Sequence, residues 1–245
     1  MADNPVLIDS ASILIIRDND DGALEVLMVK RHQDIKFAGG AYVFPGGKVD
    51  EEDLILGKRV PSFPPGYGEL SYTAFREVFE ESGLIIGKSE GATAYREDLL
   101  AGNITLTDFI KKADVQFDVG DIVPFARWVT PRIYPKRFDT RFFLARAPLD
   151  QEAIPDFREI VETAWVKPLE FIIDFNSELM FPTIMNLKLL GQANTVEDAL
   201  AQARLRKIIT VEPRIVNGKK HIDPSAGYGE VDQTGIIDNG FKNSP

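Results

Sequence analysis

The sequence FPGGK at residues 44–48, followed after a gap by REVFEESGL at residues 76–84, is the stretch that decides the fold. Glu77, Glu80 and Glu81 are spaced i, i+3 and i+4, which places them on one face of a helix. Three negative charges at this spacing repel one another and would destabilise an isolated helix. A bound cation would relieve the repulsion, and Mg²⁺ or Mn²⁺ is the simplest candidate because such ions take oxygen ligands.

The composition is typical of a globular protein with a sizeable core, since 44% of the 245 residues are hydrophobic and 27% are charged. The 28 basic and 38 acidic residues give a net charge of −10, which argues against nucleic acid or an anionic membrane as a partner. Because the chain has no cysteine, disulfides, thiolate metal sites and a cysteine nucleophile are excluded. The N-terminal residues do not resemble a signal peptide, and no apolar run approaches the roughly 20 residues that span a bilayer, so we expect a cytoplasmic protein.

Hydrophobic patterning predicts a mixture of strands and helices. Strands are expected at residues 11–17, 25–31, 121–129, 137–146 and 159–166. Helices are expected at residues 70–82, 168–175 and 181–190, in pieces between 91 and 114, and from Thr195 onward. Residues 48–69 are predicted to be irregular, residues 84–86 to begin a strand, and Asn217-Gly218 to turn a C-terminal hairpin. The elements favour one α/β or α+β domain over residues 1–245.

The opening stretch resembles the Nudix box, G-x5-E-x7-R-E-U-x-E-E-x-G-U, in which U is a bulky apolar residue. Residues 76–84 match its second half at every specified position, and residues 44–48 match the usual lead-in. Gly47 and Arg76 lie 29 positions apart instead of the 14 of the pattern, so about fifteen residues are inserted. The first glutamate of the box therefore has two candidate equivalents in this chain, and both are kept open: Asp53 and Glu69.

The insert itself resembles the coenzyme A diphosphatase-type subgroup of the Nudix family, in which the box is split. The sequences WVTP at 128–131 and KRFDTRFF at 136–143 fit the same subgroup. The resemblance implies an α/β/α sandwich with a mixed sheet, C-terminal helices and a short hairpin tail. It implies a core at about residues 8–205, an insert at about 50–68 and an extension at about 206–245.

The resemblance further implies metal-dependent hydrolysis of a diphosphate linkage. Mg²⁺ or Mn²⁺ would be held by Glu77, Glu80, Glu81 and the backbone carbonyl of Gly46. Arg76 would orient a glutamate, since Arg76 and Glu80 are i, i+4 neighbours.

The general base stays open among Glu77, Glu159 and Glu162, of which the last two precede Trp165. Four basic residues are candidates for binding the phosphates of the substrate. They are Arg31, Lys48, Arg137 and Arg141.

Three functions are consistent with the sequence. Coenzyme A or an acyl-CoA is the favoured substrate, and ADP-ribose, NADH or a nucleotide sugar is the alternative. A non-catalytic sensor of a nucleotide metabolite is the third, although the presence of Glu77, Glu80 and Glu81 argues against it. Homodimerisation is common in the family and is possible for this chain.

Overall fold

The computed structural model describes residues 6–58, 60, 63–117, 119–217 and 219–228. The strands are β1 (Leu7–Asp18), β2 (Leu24–Arg31), β3 (Tyr42–Val43), β4 (Gly46–Lys48), β5 (Ile122–Val129), β6 (Arg137–Arg146), β7 (Ile160–Val166), β8 (Thr210–Val211), β9 (Arg214–Val216) and β10 (Lys219–His221). The α-helices are α1 (Glu51–Gly57), α2 (Ser71–Ser82), α3 (Arg96–Leu100), α4 (Leu106–Lys112), α5 (Pro168–Phe175), α6 (Phe181–Leu190) and α7 (Val196–Leu205).

Strand β1 is the centre of a mixed sheet. It pairs in parallel with β6 on one side and antiparallel with β2 and β4 on the other. β5 and then β8 extend the sheet beyond β6, while β3 and β7 pair with β2. The register sets Gly46 opposite Ser12 and Gly47 opposite Ala11, so the glycine pair lies beside the first half of β1.

Both faces of the sheet are covered, and β1 contributes to the core on each face because its alternate side chains point in opposite directions. Ile13 and Ile15 join the core cluster that contains the apolar face of α2. Leu14 and Ile16 join the cluster formed with α6 and α7. Each such side chain is fully buried and stabilises the fold by about 1.5–3 kcal/mol relative to exposure. The predicted α/β/α sandwich with a mixed sheet is confirmed.

Helix α2 is fixed by its apolar stripe and by its C-terminal cap. Phe75, Val78 and Phe79 are fully buried, and the ring of Phe79 stacks on that of Phe109 with centroids 4.7 Å apart. Gly83 ends the helix with φ of 73°, a left-handed conformation that favours glycine. The polar face of α2 is thereby directed away from the core and towards β4.

Two local predictions were wrong. Residues 48–69 contain helix α1, whose first turn carries three acids that favour the positive end of a helix dipole. One of them, Glu52, also accepts the N–H groups of Leu106 and Thr107 at the start of α4, at 2.9 and 3.0 Å. Residues 84–86 form no strand but are buried in the core beside α2.

The C-terminal hairpin is confirmed, with β9 and β10 flanking Asn217, whereas Gly218 lies outside the described residues. Among the helices that the structure describes, none combines the length and apolar character needed to cross a membrane.

Candidate active site

A cavity of about 770 Å³ opens beside the polar face of α2. Its lining includes Gly46 and Gly47 from β4 and Glu77, Glu80 and Glu81 from α2. β4 is paired with β1, and α2 packs across both strands. The two halves of the split motif therefore meet in space despite the insert between them.

Arg76 lies at the centre of the polar network beside these glutamates, and its side chain is only 9% exposed. Its Nη1 donates to Oε1 of Glu77 at 2.9 Å and to Oε2 of Glu80 at 3.0 Å. Its Nη2 donates to the carbonyl oxygen of Lys48 at 3.0 Å, which ties α2 to β4. The predicted neighbour relation between Arg76 and Glu80 is present, and Glu77 shares the same guanidinium group.

Asp53 lies in the insert, and its side chain pairs with Arg76. Its carboxylate is fully buried and accepts from Nη2 and Nε of Arg76 at 2.8 and 3.1 Å. The hydroxyl of Thr73 and the backbone N–H of Asp50 also donate to it, at 2.9 and 3.0 Å. Glu69, by contrast, is exposed. Of the two candidates for the first acid of the motif, the structure places Asp53 against the arginine, and helix α1 holds it there.

Two of the α2 glutamates touch β4 directly. Oε2 of Glu81 accepts the backbone N–H of Gly46 at 2.9 Å. A side chain at position 47 would collide with the carboxylate of Glu77. The end of the Glu77 side chain can shift, whereas a Cβ at position 46 would meet the backbone of Ala11 and Ser12, so close approach requires glycine at position 46.

The glutamate cluster carries more negative charge than its surroundings compensate. Burial raises the pKa of Glu77 to about 7, against the opposing effect of Arg76. Burial also raises the pKa of Glu81 well above its usual range, and the neighbouring charge of Glu77 adds to the effect. The pKa of Glu80 rises for the same reason, burial, although Arg76 opposes it. A cation near the three carboxylates would reverse these shifts.

The donor chemistry of this cluster fits a hard divalent cation, because every donor is a carboxylate oxygen. Within the described ranges, however, no group of three or more acidic or histidine side chains is placed to hold a metal ion. The hydrogen bonds explain this: Glu77 and Glu80 turn towards Arg76, and Glu81 turns towards the N–H of Gly46. A metal would have to compete with these partners, so the metal-ligand roles stay predictions.

Arg31 bridges the cluster to a further acid at the rim of the cavity. Its Nη1 lies 3.8 Å from Oε1 of Glu81, and its Nη2 lies 3.5 Å from Oε2 of Glu159. Its buried Nε has no hydrogen-bond partner among the described residues. Glu162, the other candidate base near Trp165, instead accepts the hydroxyl of Tyr42 at 2.9 Å and does not line the cavity. The positions of these side chains therefore favour Glu159 over Glu162 as the general base. They also favour Arg31 and Lys48, which line the cavity, as phosphate contacts.

Arg137 and Arg141 do not line the cavity, so the geometry gives no support to the predicted substrate contacts. Arg137 is buried and donates to Glu212 at 3.0 Å. Arg141 is buried too, with Nη1 2.7 Å from Asp9 and 3.0 Å from Asp139. Both guanidinium groups are held by acids of the protein itself, so a role of either arginine in substrate binding stays a prediction.

Sequence reasoning missed a further set of residues that line the cavity, which we call the basic-aromatic wall. It consists of three lysines and two phenylalanines, namely Lys36, Lys136, Lys220, Phe138 and Phe181. These residues come from the β2–β3 connection, the β5–β6 connection, β6, α6 and β10. Lys136 begins the KRFDTRFF stretch that the resemblance singled out, but Lys36 and Lys220 have no local sequence signal, since only the fold brings them to the cavity.

Known proteins resemble this chain over most of its length. The family model described as the NUDIX domain matches residues 7–185. "Putative nudix hydrolase 7" of Caenorhabditis elegans is 29% identical, over 77% of this chain and 63% of the relative. "Acyl-coenzyme A diphosphatase NUDT19" of Xenopus laevis is 23% identical, over 66% of this chain and 57% of the relative. The chain thus spans less than two thirds of the length of these two curated relatives.

A solved structure shares the fold as well. The crystal structure of a NUDIX hydrolase from Alicyclobacillus acidocaldarius superimposes with a TM-score of 0.73 and 28% identity, covering 83% of this chain and 99% of that one. The family match includes β4 and α2, which carry the glycine pair, Arg76 and the three glutamates. The chain belongs to the Nudix hydrolase family.

Proposed function

We propose that this Nudix hydrolase cleaves the diphosphate linkage of a nucleoside diphosphate derivative, with Mg²⁺ or Mn²⁺ as cofactor and coenzyme A or an acyl-CoA as substrate. One observation carries the proposal: Glu77, Glu80 and Glu81 line a cavity together with Gly46 and Gly47. Nudix hydrolases generally require divalent metal ions, and this carboxylate cluster has the donor chemistry for one.

Glu77, Glu80, Glu81 and the carbonyl of Gly46 would hold the metal. When bound, the metal would neutralise the charge of the diphosphate and make water a stronger nucleophile near neutral pH. Arg76 is a positioning residue in this scheme, because it contacts two of the glutamates while Asp53 and the Lys48 carbonyl fix its own orientation.

The side chains of the cavity would divide the remaining work. Arg31 and Lys48 line the cavity and would bind the phosphate oxygens. Glu159, or alternatively Glu77, would take a proton from the attacking water. The water oxygen then bonds to one phosphorus in line, the bond from that phosphorus to the bridging oxygen breaks, and the bridging oxygen leaves with the other phosphate.

The substrate class is supported by the size of the cavity and by the relative. A volume of about 770 Å³ is in the range of sites that take whole cofactor-sized ligands. The Xenopus laevis relative is named an acyl-coenzyme A diphosphatase. Cleavage of coenzyme A at its diphosphate would release an adenosine phosphate and a phosphopantetheine.

A substrate panel tests the proposal. The purified protein is incubated with Mg²⁺ or Mn²⁺ and with coenzyme A, acetyl-CoA, ADP-ribose, NADH or UDP-glucose, and the products are identified by mass. We expect turnover of coenzyme A or acetyl-CoA and none without metal. Turnover of ADP-ribose without any of the CoA compounds would overturn the substrate assignment. Tight binding of one compound with turnover of none would identify a sensor instead of an enzyme.

A further inference from the structure

We propose that Asp156 is a positioning residue that holds Glu159, the candidate general base, in a fixed place relative to the glutamates of α2. The inference rests on the proposed function and adds a residue to which that function gives no role. Asp156 acts through Glu159 and takes no part in making or breaking bonds. Both residues belong to the connection between β6 and β7, and both line the cavity.

One oxygen of Asp156 organises the turn that carries Glu159. Its Oδ1 accepts the backbone N–H groups of Arg158, Glu159 and Ile160, at 2.8, 2.9 and 2.9 Å. The carbonyl oxygen of Glu159 accepts the N–H of His32 at 2.7 Å. Both polar backbone groups of Glu159 are therefore bonded. Its main chain is fixed at the rim of the cavity although its side chain is 64% exposed.

The turn keeps a backbone conformation that its sequence disfavours. Phe157 has φ of 57°, in the left-handed region where a bulky residue is rare, and its side chain is exposed. Its N–H donates to the carbonyl oxygen of Ile160 at 3.0 Å, which closes the turn. Because an exposed ring gains little from packing, the hydrogen bonds of the turn have to maintain this conformation, and Asp156 accepts three of them.

The same connection is tied to the C-terminal end of α2. The N–H of Ile154 donates to the carbonyl oxygen of Ser82 at 2.8 Å. The side-chain amide of Gln151 accepts from the N–H of Ile85 at 2.7 Å and donates to its carbonyl oxygen at 3.2 Å. The turn that begins at Asp156 therefore starts from a point fixed to the helix that carries the glutamate cluster.

Arg96 of α3 links Asp156 to Glu80. The arginine is buried and donates through Nε and Nη2 to the backbone carbonyl of Glu80, at 3.2 and 2.8 Å. Burial lowers the pKa of Arg96, and the nearby negative charge of Asp156 opposes this. One carboxylate thus acts on the turn that carries Glu159 and on the arginine that caps α2. Since small displacements of a catalytic group are costly, this arrangement would preserve the distance between Glu159 and Glu80.

The test compares Asp156→Ala with Asp156→Asn. The amide oxygen of asparagine can accept the same N–H groups, whereas alanine offers no acceptor. Steady-state kinetics are measured with Mg²⁺ and coenzyme A, and with ADP-ribose if coenzyme A is not cleaved. Asp150→Ala is the matched control, because Asp150 is an exposed aspartate of the same connection that does not line the cavity. Melting temperatures of all variants report on the fold.

We expect Asp156→Ala to lower kcat roughly tenfold and to leave KM nearly unchanged, because the base is misplaced while the phosphate contacts remain. Asp156→Asn should recover most of this loss, and Asp150→Ala should match the wild type. In a Glu159→Gln background, Asp156→Ala should cost no more than about twofold in kcat, because the group through which it acts is gone.

Three kinetic results would overturn the inference. They are a normal kcat in Asp156→Ala, an equal loss in Asp156→Asn, and an undiminished loss in the Glu159→Gln background. The second would mean that the charge of Asp156 matters and its hydrogen bonds do not. The third would mean that Asp156 acts independently of Glu159.

Amide hydrogen exchange separates failure of this inference from failure of the proposed function, because it needs no substrate. The N–H groups of Arg158, Glu159 and Ile160 should be protected in the wild type and in Asp156→Asn, and should exchange faster in Asp156→Ala. If the wild type cleaves no compound but shows this pattern, the proposed function fails and the positioning of Glu159 stands. If the three groups exchange freely in the wild type, the inference is refuted whatever the turnover, even where Asp156→Ala does not fold.

Discussion

The acidic wall of the cavity, formed by Glu77, Glu80 and Glu81, and the basic-aromatic wall are built in different ways. The three glutamates stand on one helix, and each accepts a hydrogen bond from Arg76 or from the backbone of β4. The lysines of the basic-aromatic wall come from three separate segments, and Lys36 and Lys136 are exposed. The three carboxylates are thus held by the scaffold, whereas Lys36 and Lys136 lie on connecting segments, which tolerate change more readily than helices and strands do.

This difference has a kinetic consequence. Changes in the acidic wall should lower kcat for every diphosphate substrate alike, whereas changes in the basic-aromatic wall should alter which substrate is preferred.

The largest effect is expected from Glu80→Gln and Glu81→Gln. If these side chains hold the metal, each change should reduce kcat by more than the roughly 10–100-fold that loss of an outer-sphere partner costs, for all substrates equally. Steady-state kinetics at saturating Mg²⁺ and the melting temperature are the measurements. Glu69→Gln, an exposed glutamate just before α2, is the control. Near-normal rates in both variants would remove the metal assignment and with it the contrast between the walls.

Asp53→Asn should have the next largest effect, and we expect that effect mainly as a loss of stability. The change removes the buried negative charge to which Arg76 donates two hydrogen bonds. Breaking one side of a buried ion pair typically costs 3–5 kcal/mol, and we expect about 3 kcal/mol because Glu77 and Glu80 still contact the arginine. Chemical denaturation measures the unfolding free energy, with Glu69→Gln expected within about 0.5 kcal/mol of wild type. If the two variants are equally stable, Asp53 is not the acid that positions Arg76.

Arg31→Met and Arg141→Met sharpen the distinction between binding and structural arginines. Arg31 lines the cavity, with contacts to acids no shorter than 3.5 Å, so its loss should raise KM roughly tenfold and leave the melting temperature nearly unchanged. Arg141 is paired with Asp9 and Asp139 outside the cavity, so its loss should lower the unfolding free energy by about 1–3 kcal/mol and leave KM unchanged. If Arg141→Met instead raises KM and leaves the unfolding free energy unchanged, the substrate contact that the sequence predicts for Arg141 would be supported.

The acidic wall was predictable from the sequence and the basic-aromatic wall was not, for a physical reason. Helical spacing alone puts Glu77, Glu80 and Glu81 on one face, and an apolar stripe alone predicts α2 within one residue of its observed start. The cavity positions of Lys36 and Lys220 depend on how β2, β3 and the C-terminal hairpin pack, which no local pattern encodes.

Charge patterns in two places did not reveal the partners of the charged residues, for a related reason. The acids at the start of α1 were interpreted as part of an irregular loop, because their partners, Arg76 for Asp53 and the α4 backbone for Glu52, are distant in sequence. Arg137 and Arg141 were interpreted as phosphate contacts, because Glu212, Asp9 and Asp139 could not be recognised as their partners before the strands were paired.

The smallest effect expected is on the pH dependence of stability without metal. Burial raises the pKa of Glu77 from an ordinary 4.5 to about 7, and it shifts Glu80 and Glu81 in the same direction. The folded protein therefore binds more protons than the unfolded chain between these pH values, so the unfolding free energy falls as pH rises from about 4.5 to 7. A divalent cation at the cluster would restore the ordinary pKa values and remove this loss.

Melting temperatures in EDTA and in Mg²⁺ should accordingly diverge as pH rises from 5 to 8, with the higher value in Mg²⁺. Glu77→Gln should weaken the divergence, because the uncharged amide removes one of the titrating groups. Glu69→Gln, exposed and outside the cluster, should retain it. If the difference between the two melting temperatures is the same at every pH, no cation binds at these carboxylates. The acidic wall would then differ from the basic-aromatic wall in the sign of its charge, but not in binding a metal.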